Sequence, residues 1–290
     1  MMNNDIIIRA ARRDDAELIA EAVCMAVGYD TAHPIYPVFL SLAQRRHTQY
    51  SYCNALVAEV DGVVAGAIVG YDGACLAKLR KPIYPLLERH LGEVPHIEDE
   101  TEAGEFYLDS LGIRAEYRGR GIGGALLTAL RDKAFSEGYS RVGLIVDYNN
   151  PKAEKLYASL GFQRVGTKRF LGHNMWHMQC ESPLSIEERI ERSTFITPFQ
   201  RRLYMELLRV PRGTTITYGE LAQRIGCRSA QAVGQALRRN PYAPEVPCHR
   251  VVAADGTLGG FNGMREGEQI EHKRTLLLEE GYTLTPTHKR

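Results

Sequence analysis

The stretch Arg118-Gly119-Arg120-Gly121-Ile122-Gly123-Gly124 limits what this chain can fold into more than any other part of it. It follows the alternating run Phe106–Ile113, read as a strand, and precedes a helical pattern over 125–136. Glycines in a strand-to-helix turn let the backbone approach an anion closely. The free N–H groups at the helix start then bind phosphate oxygens. No Gly-x-Gly-x-x-Gly opens the first βα unit, so the dinucleotide pattern does not apply.

Around this turn, residues 1–181 read as mixed α/β. Ile6-Ile7-Ile8 forms a first strand, and Asp14-Asp15 opens an amphipathic helix to about Val27, acids at its positive end. Residues 56–60 and 63–69 flank Asp61-Gly62, a hairpin signal. Residues 142–146 read as a strand, and Pro151 starts a helix that ends at Gly161. His173 and His177 have helical metal-ligand spacing, but their surroundings alternate as in a final strand, so no metal site is expected.

At 290 residues the chain is long enough for two domains. No segment approaches the ~20 apolar residues of a membrane span. Met1 to Asp5 lack a basic region leading into an apolar stretch, so no signal peptide is expected. Six cysteines at 24, 53, 75, 180, 227 and 248 form no CxxC pair. That argues for free thiols in a reducing cytoplasm. The net charge of +1 hides an asymmetry: residues 183–290 hold 16 Lys+Arg against 12 Asp+Glu, and the preceding part 20 against 23. A mildly basic C-terminal part suits a polyanionic partner. The join is expected at Glu181-Ser182-Pro183, giving a domain over 1–181, a helical connector over 182–194 and a second domain over 195–290.

In the second domain Thr217-Tyr218-Gly219-Glu220 fits a capping box. A helix over 218–225, a turn at Gly226-Cys227-Arg228 and a helix over 229–239 give helix-turn-helix spacing. Ala230, Ala232, Gly234 and Ala236 keep one side of the second helix slim, and Arg238 and Arg239 at its end can reach phosphates. Tight helix packing is the competing reason for those small residues. Pro247-Cys248-His249-Arg250 sets a cysteine against a histidine, which suits a thiol that must lose its proton to react. A buried structural cysteine is the alternative.

The run 240–252, with Gly259-Gly260-Phe261-Asn262-Gly263 and the closing 273–281, resembles the active-site segment of the O6-alkylguanine-DNA alkyltransferases. The resemblance covers about residues 195–282. It implies that Cys248 accepts an alkyl group from O6 of a guanine flipped out of double-stranded DNA. His249 would take the thiol proton through a water, Glu280 would hold and charge that relay, and Asn240 would brace the turn. Tyr218 would donate to the guanine edge. Phe261, Asn262 and Gly263 would form the loop over the base, with no cofactor required. Two positions depart from the family: Gln231 stands where an arginine fills the gap left by the flipped base, and Phe261 where a tyrosine is common.

The first domain, with Asn149-Asn150-Pro151 and Leu156-Tyr157 leading to Gly161-Phe162, resembles the GNAT acetyltransferase superfamily over nearly all of residues 5–180. The resemblance implies acetyl-CoA as cofactor. Its pyrophosphate would lie on the amides of Arg118, Gly119, Arg120, Gly121, Ile122 and Gly123, with Gly124 closing the loop. Its acyl group would lie along the splayed strand at Leu111, Gly112 and Ile113, with Asn150 nearby. Tyr157 would protonate the departing thiolate. Glu105, Asp109 and Glu116 are candidate bases, and residues 78–104, with Tyr84, His90 and His96, are expected to shape the acceptor pocket or a lid.

The expected fold class is thus α/β, a GNAT-type mixed sheet with flanking helices, followed by a small mainly α domain with a helix-turn-helix. The expected function is DNA repair by alkyl transfer plus N-acetylation of an unknown amine, in the cytoplasm or on a nucleoid. A damage sensor that transfers no alkyl group and a DNA-targeted protein acetyltransferase are the alternatives.

Overall fold

Apolar alternation in the first part of the chain gathers into one seven-stranded sheet. In the computed structural model, which describes residues 6–283, the chain divides into two units, Met1–Pro183 and Leu184–Arg290. Met1 to Asp5, read above for a leader, lie outside the described residues. The first unit runs β1 (Ile6–Ala10), α1 (Ala16–Ala26), α2 (Tyr36–Ala43), β2 (Ala55–Val60), β3 (Val63–Asp72), α3 (Leu76–Arg80) and α4 (Tyr84–Leu91). It continues β4 (Phe106–Ile113), α5 (Ile122–Ser136), β5 (Arg141–Asp147), α6 (Pro151–Ser159), β6 (Gln163–Phe170) and β7 (His173–Glu181).

The strand order is β1-β2-β3-β4-β5-β7-β6. All neighbours are antiparallel except β4 and β5, which pair in parallel at only two positions, Phe106 with Val142 and Tyr107 with Gly143. Beyond Tyr107 the two strands part. A bulge accompanies the parting: β3 pairs Val69 with Ser110 but Gly70 with Leu108, so Asp109 is left over. One face of the sheet is covered by α1 and α2, whose Leu18, Ile19, Val23, Phe39 and Leu42 are buried against Val57 and Val69. On the other face Leu126, Leu127 and Leu130 of α5 bury against Ile68, Leu108 and Val142.

The helix expected from residue 125 begins three residues earlier, at Ile122. Gly121 (φ 83°) turns the chain straight into the helix, so Ile122, Gly123 and Gly124 form its first turn rather than the loop. Ile122 is buried in the core, which leaves only its backbone to face a ligand. His173 pairs with Asp147 and His177 with Glu105 on β7, and no group of metal-binding side chains occurs among the described residues.

The second unit holds α7 (Ile186–Arg192), α8 (Pro198–Leu208), β8 (Ile216–Thr217), α9 (Tyr218–Arg224), α10 (Ala230–Leu237), β9 (Val251–Val252) and α11 (Glu268–Glu279). Leu203, Tyr204, Leu207, Leu221, Val233, Val246, Val251 and Leu277 form its core. The segment read as a connector carries α7, started by a Ser185–Glu188 capping box, and Ile190 joins that same core. In α10, Ala236 faces inward and its carbonyl accepts from the Tyr204 hydroxyl at 2.9 Å, so small size there serves packing, as the competing reading had it. Among the described residues no helix is long and apolar enough to cross a membrane.

Gly112 shows what fixes the first layer. A Cβ there would sit 2.4 Å from the Ala22 Cα, so α1 crosses β4 backbone to backbone. Gly112→Ala is expected to destabilise the first unit by about 1–3 kcal/mol through overpacking. The check is a lower urea midpoint at constant m-value. An unchanged midpoint would mean that α1 moves away freely.

Candidate functional site

In the second unit, Thr217 and Glu220 close the expected capping box, so α9 starts at Tyr218 directly out of β8. β8 pairs in parallel with β9, which follows a single 3-10 turn over Cys248–Arg250. These two short strands bring Tyr218 and Cys248, thirty residues apart, to one cavity of about 870 Å³. Gln231, Gly234 and Arg238 of α10 and the segment from Gly259 to Met264 complete its lining. Arg239 is exposed and does not line it.

Cys248 is 7% exposed at this cavity. Burial pushes its thiol up, while Asn240 and the Lys273 cation pull it down. Asn240 stitches both ends of the preceding loop: its Nδ2 donates to the Val246 carbonyl at 3.0 Å, and its Oδ1 accepts from the Tyr242 amide at 3.0 Å. His249 Nε2 lies 2.9 Å from Glu280 Oε1. Burial pushes His249 below its ordinary value despite that carboxylate, which favours the neutral ring, the form that can accept a proton.

Glu280 accepts from Arg250 through Nε at 2.8 Å and Nη2 at 2.7 Å, and from the Gly213 amide at 3.3 Å. The Arg250 hydrogen bonds foremost hold Glu280 down at about 2. The Tyr218 hydroxyl donates to the Gly260 carbonyl at 2.9 Å. Phe261 is buried, and its backbone pairs with Met264 across an Asn262-Gly263 turn with φ of 49° and 84°. The Arg238 side chain fills the space where Gly263 lacks a Cβ.

Sequence reasoning missed Lys273. It is fully buried, and its Nζ donates to the carbonyls of Val251 (2.5 Å), Leu258 (2.6 Å) and Gly260 (3.2 Å), tying together the loop that walls the cavity. Burial lowers it to about 8. The signal was present in its spacing, since Ile270, Lys273 and Leu277 share one face of α11.

In the first unit the α5 start carries no side-chain cap, and nothing lies within 4 Å of a Cβ built on Gly119 or Gly121. The first-turn amides are therefore open to an anion, whereas the Arg118 amide, expected to join them, is already given to the Ala115 carbonyl at 3.2 Å. Arg118 donates to the Ile113 carbonyl at 3.0 Å and Arg120 to the Glu116 carbonyl at 3.1 Å, bracing the loop against itself. Leu111 and Ile113 pack on the α5 layer together with Tyr157, whose hydroxyl burial pushes up. Asn150 caps α6, accepting from the Ala153 amide at 3.1 Å.

Of the three candidate bases, Glu116 is exposed on a turn. Glu105 is 1% exposed. Burial alone would raise it, but His177 at 2.9 Å, Thr101 at 2.6 Å and Gln179 at 2.7 Å hold it below its ordinary value, so it is engaged in structure. Asp109 sits at the β4 bulge, beside the parting of β4 and β5. Tyr84 and His90 lie on α4, and His96 lies in the segment that leads to β4.

Two candidate sites result: a mixed sheet that splits beside an uncapped helix start, and a buried cysteine lining an arginine-flanked cavity next to a histidine–glutamate pair. Residues 25–162 match the Acetyltransferase (GNAT) family model, and residues 198–282 match that of the 6-O-methylguanine DNA methyltransferase DNA binding domain. The chain belongs to both families, the first in its N-terminal unit and the second in its C-terminal unit. A solved acetyltransferase structure is 34% identical at a TM-score of 0.53, covering 61% of this chain and 99% of its own. The methylated-DNA–protein-cysteine methyltransferase of Salmonella typhimurium LT2 is 40% identical over 102 residues, 35% of this chain and 57% of that protein. The Pyrococcus furiosus protein of the same name is 38% identical over 137 residues, 46% of this chain and 69% of that protein. The chain thus spans little more than half the length of the Salmonella relative.

Glu280 makes the acid side of the stability curve testable. Its folded value lies below the unfolded 4.5, so its contribution is complete above about 4.5 and drains away as pH falls toward about 2. Glu280→Gln is expected to flatten the loss of stability of the second unit between those values. Urea unfolding of the full chain at pH 6 and pH 3 checks it, and equal pH slopes for both proteins would contradict it.

Proposed function

We propose that the second unit repairs DNA by a single irreversible alkyl transfer from O6 of an alkylated guanine to Cys248. The observation that carries this reading is Cys248 lining a cavity walled by α10, with the next two residues of the chain, His249 and Arg250, both bonded to Glu280. His249 takes the thiol proton, directly or through a water, and Glu280 stabilises the resulting imidazolium. The thiolate attacks the alkyl carbon, a C–S bond forms and the C–O6 bond breaks, leaving a thioether that nothing in the site hydrolyses. Tyr218 protonates the departing base after exchanging its Gly260 acceptor for the guanine.

In this reading α9, the turn after it and α10 act as a helix-turn-helix on double-stranded DNA, with Gln231 at the gap left by the flipped base and Arg238 and Arg239 on phosphates. Asn240 holds the cysteine loop, and Phe261, Asn262 and Gly263 cover the base.

The first unit, in the same proposal, transfers an acetyl group from acetyl-CoA to an amine. The open amides from Gly119 to Gly124 suit the pyrophosphate, and Arg118 and Arg120 lie beside it. Leu111 to Ile113 line the acyl position, Asn150 flanks it, and Tyr157 protonates the thiolate.

Incubating the full chain with duplex DNA containing one O6-methylguanine should add one methyl to the Cys248 peptide by mass spectrometry, and none to Cys248→Ser. Tight binding without methyl gain would favour a damage sensor. Gln231→Arg restores a longer, charged, stacking side chain at the cavity mouth and should raise the transfer rate on duplex substrate several-fold. A single-turnover rate equal to or below that of the wild type would overturn this account of Gln231.

A further inference from the structure

We propose that Asp109, Tyr71 and Glu100 form a proton relay for the acetyl acceptor of the first unit, with Asp109 as base and Glu100 as proton store. The inference rests on the acetyl-transfer reading and supplies the base and relay that reading lacks.

Asp109 occupies the bulge of β4, on the stretch that β5 no longer covers. Its Oδ2 accepts from the Tyr71 hydroxyl at 2.6 Å and from Gln49 Nε2 at 2.9 Å, and its Oδ1 accepts from Ser110 Oγ at 2.6 Å. The same Tyr71 hydroxyl lies 3.2 Å from Glu100 Oε1, which also accepts from Gln49 at 3.0 Å. A phenol has one proton and cannot donate to two carboxylates at once. Both contacts are satisfied when Glu100 carries a proton and donates to the Tyr71 oxygen, while Tyr71 donates to Asp109. The three groups are thus a continuous hydrogen-bonded path between two carboxyls.

The environment sets which carboxyl keeps the proton. Glu100 is 2% exposed, whereas Asp109 is only partly buried. Burial, and then the charge of Asp109, push Glu100 up to about 7, against the pull of Arg80. The Arg80 guanidinium, itself buried, is bonded to Glu100 and also to Asp99 at 2.8 Å, and its charge allows Glu100 to ionise. Tyr50 from the segment before β2, Tyr71 from β3 and Tyr107 from β4 face the pair as well, and burial pushes all three hydroxyls far up, so they remain protonated.

The step balances with the pair ionised. The attacking nitrogen forms a bond to the acetyl carbon, the C–S bond of acetyl-CoA breaks with Tyr157 protonating the thiolate and regaining its proton from solvent, and the nitrogen's proton passes to Asp109. Asp109 then gives a proton to Tyr71 as Tyr71 gives its own to Glu100. Asp109 is again an anion, and Glu100 returns its proton to solvent before the next turnover. The reactive form therefore accumulates as pH rises through about 7.

Two readouts on the full chain test this. Carbon-13 NMR of carboxyl-labelled glutamate needs no acceptor: one glutamate should titrate near 7, vanish in Glu100→Gln and move to lower pH in Asp109→Asn. Absence of such a glutamate, or its indifference to Asp109→Asn, would overturn the relay. Acetyl transfer from acetyl-CoA is then followed with spermidine, 2-phenylethylamine and a lysine-containing tetrapeptide as probe amines. Tyr71→Phe, which removes the path together with the Gln49 and Asp109 bonds of that hydroxyl, should lower turnover about 100-fold with acetyl-CoA affinity unchanged, and Glu100→Gln should lose the rise near pH 7. Equal turnover and pH profile in Tyr71→Phe would also overturn it. Failure of the wild type to bind acetyl-CoA in calorimetry sinks the acetyltransferase reading instead, leaving the coupled carboxyls as they are.

Discussion

The second unit depends on one carboxylate. Glu280, at the C-terminal end of α11, meets His249 and Arg250 from the cysteine turn and the backbone of Gly213 from the segment after α8. Its partners lie 30 to 67 residues away in sequence, so it closes the domain as well as orienting the histidine. Stripped of this partner, the Arg250 guanidinium would keep only the Val210 carbonyl and the buried imidazole would lose its carboxylate, which costs more than the pair contributes. The charge that tunes His249, the residue next to Cys248, is therefore also a fold-closing contact.

The two units handle buried charge differently. In the second, Lys273 is held by carbonyls and flanked by the Tyr218 and Phe261 rings rather than by carboxylates, so burial leaves the cation easily discharged. In the first, Arg80 and two carboxyls share a compartment with Gln49 and Tyr71, and the positive and negative charges largely offset each other. One arrangement fixes a loop in a single position. The other leaves a proton free to move between sites.

Local grammar was legible in the sequence. The Asp61-Gly62 hairpin, the bounds of β4, the Thr217–Glu220 box and the alternation that makes His173–Glu181 a strand all rest on neighbours within four residues. The closeness of His249 to Glu280 was legible because the resemblance supplied that long-range partner. What stayed hidden depends on contacts far along the chain. Gln49, Tyr71, Glu100 and Asp109 come from four different segments, and nothing within any one of them marks the others. Lys273 shares a helix face with Ile270 and Leu277, which hints at burial, but the three carbonyls that hold it lie 13 to 22 residues away. The helix start at Ile122 was misjudged because glycines were counted as loop, although the left-handed Gly121 ends the loop at once.

The parting of β4 and β5 has a mechanical side. By strand count the first unit is one sheet, yet its antiparallel blocks, β1 to β4 and β5 to β7, are joined by two rungs only. Glu105, just before β4, lies over the Gly143 backbone and reaches His177 and Gln179 on β7, bolting the blocks at that end. The sheet is thus a pair of plates pinned at one end and parted at the other, like a clothes peg, with α5 packed across both. Beyond the two rungs the facing backbone edges of β4 and β5 have no strand to pair with, an interruption in the middle of a sheet rather than at its rim.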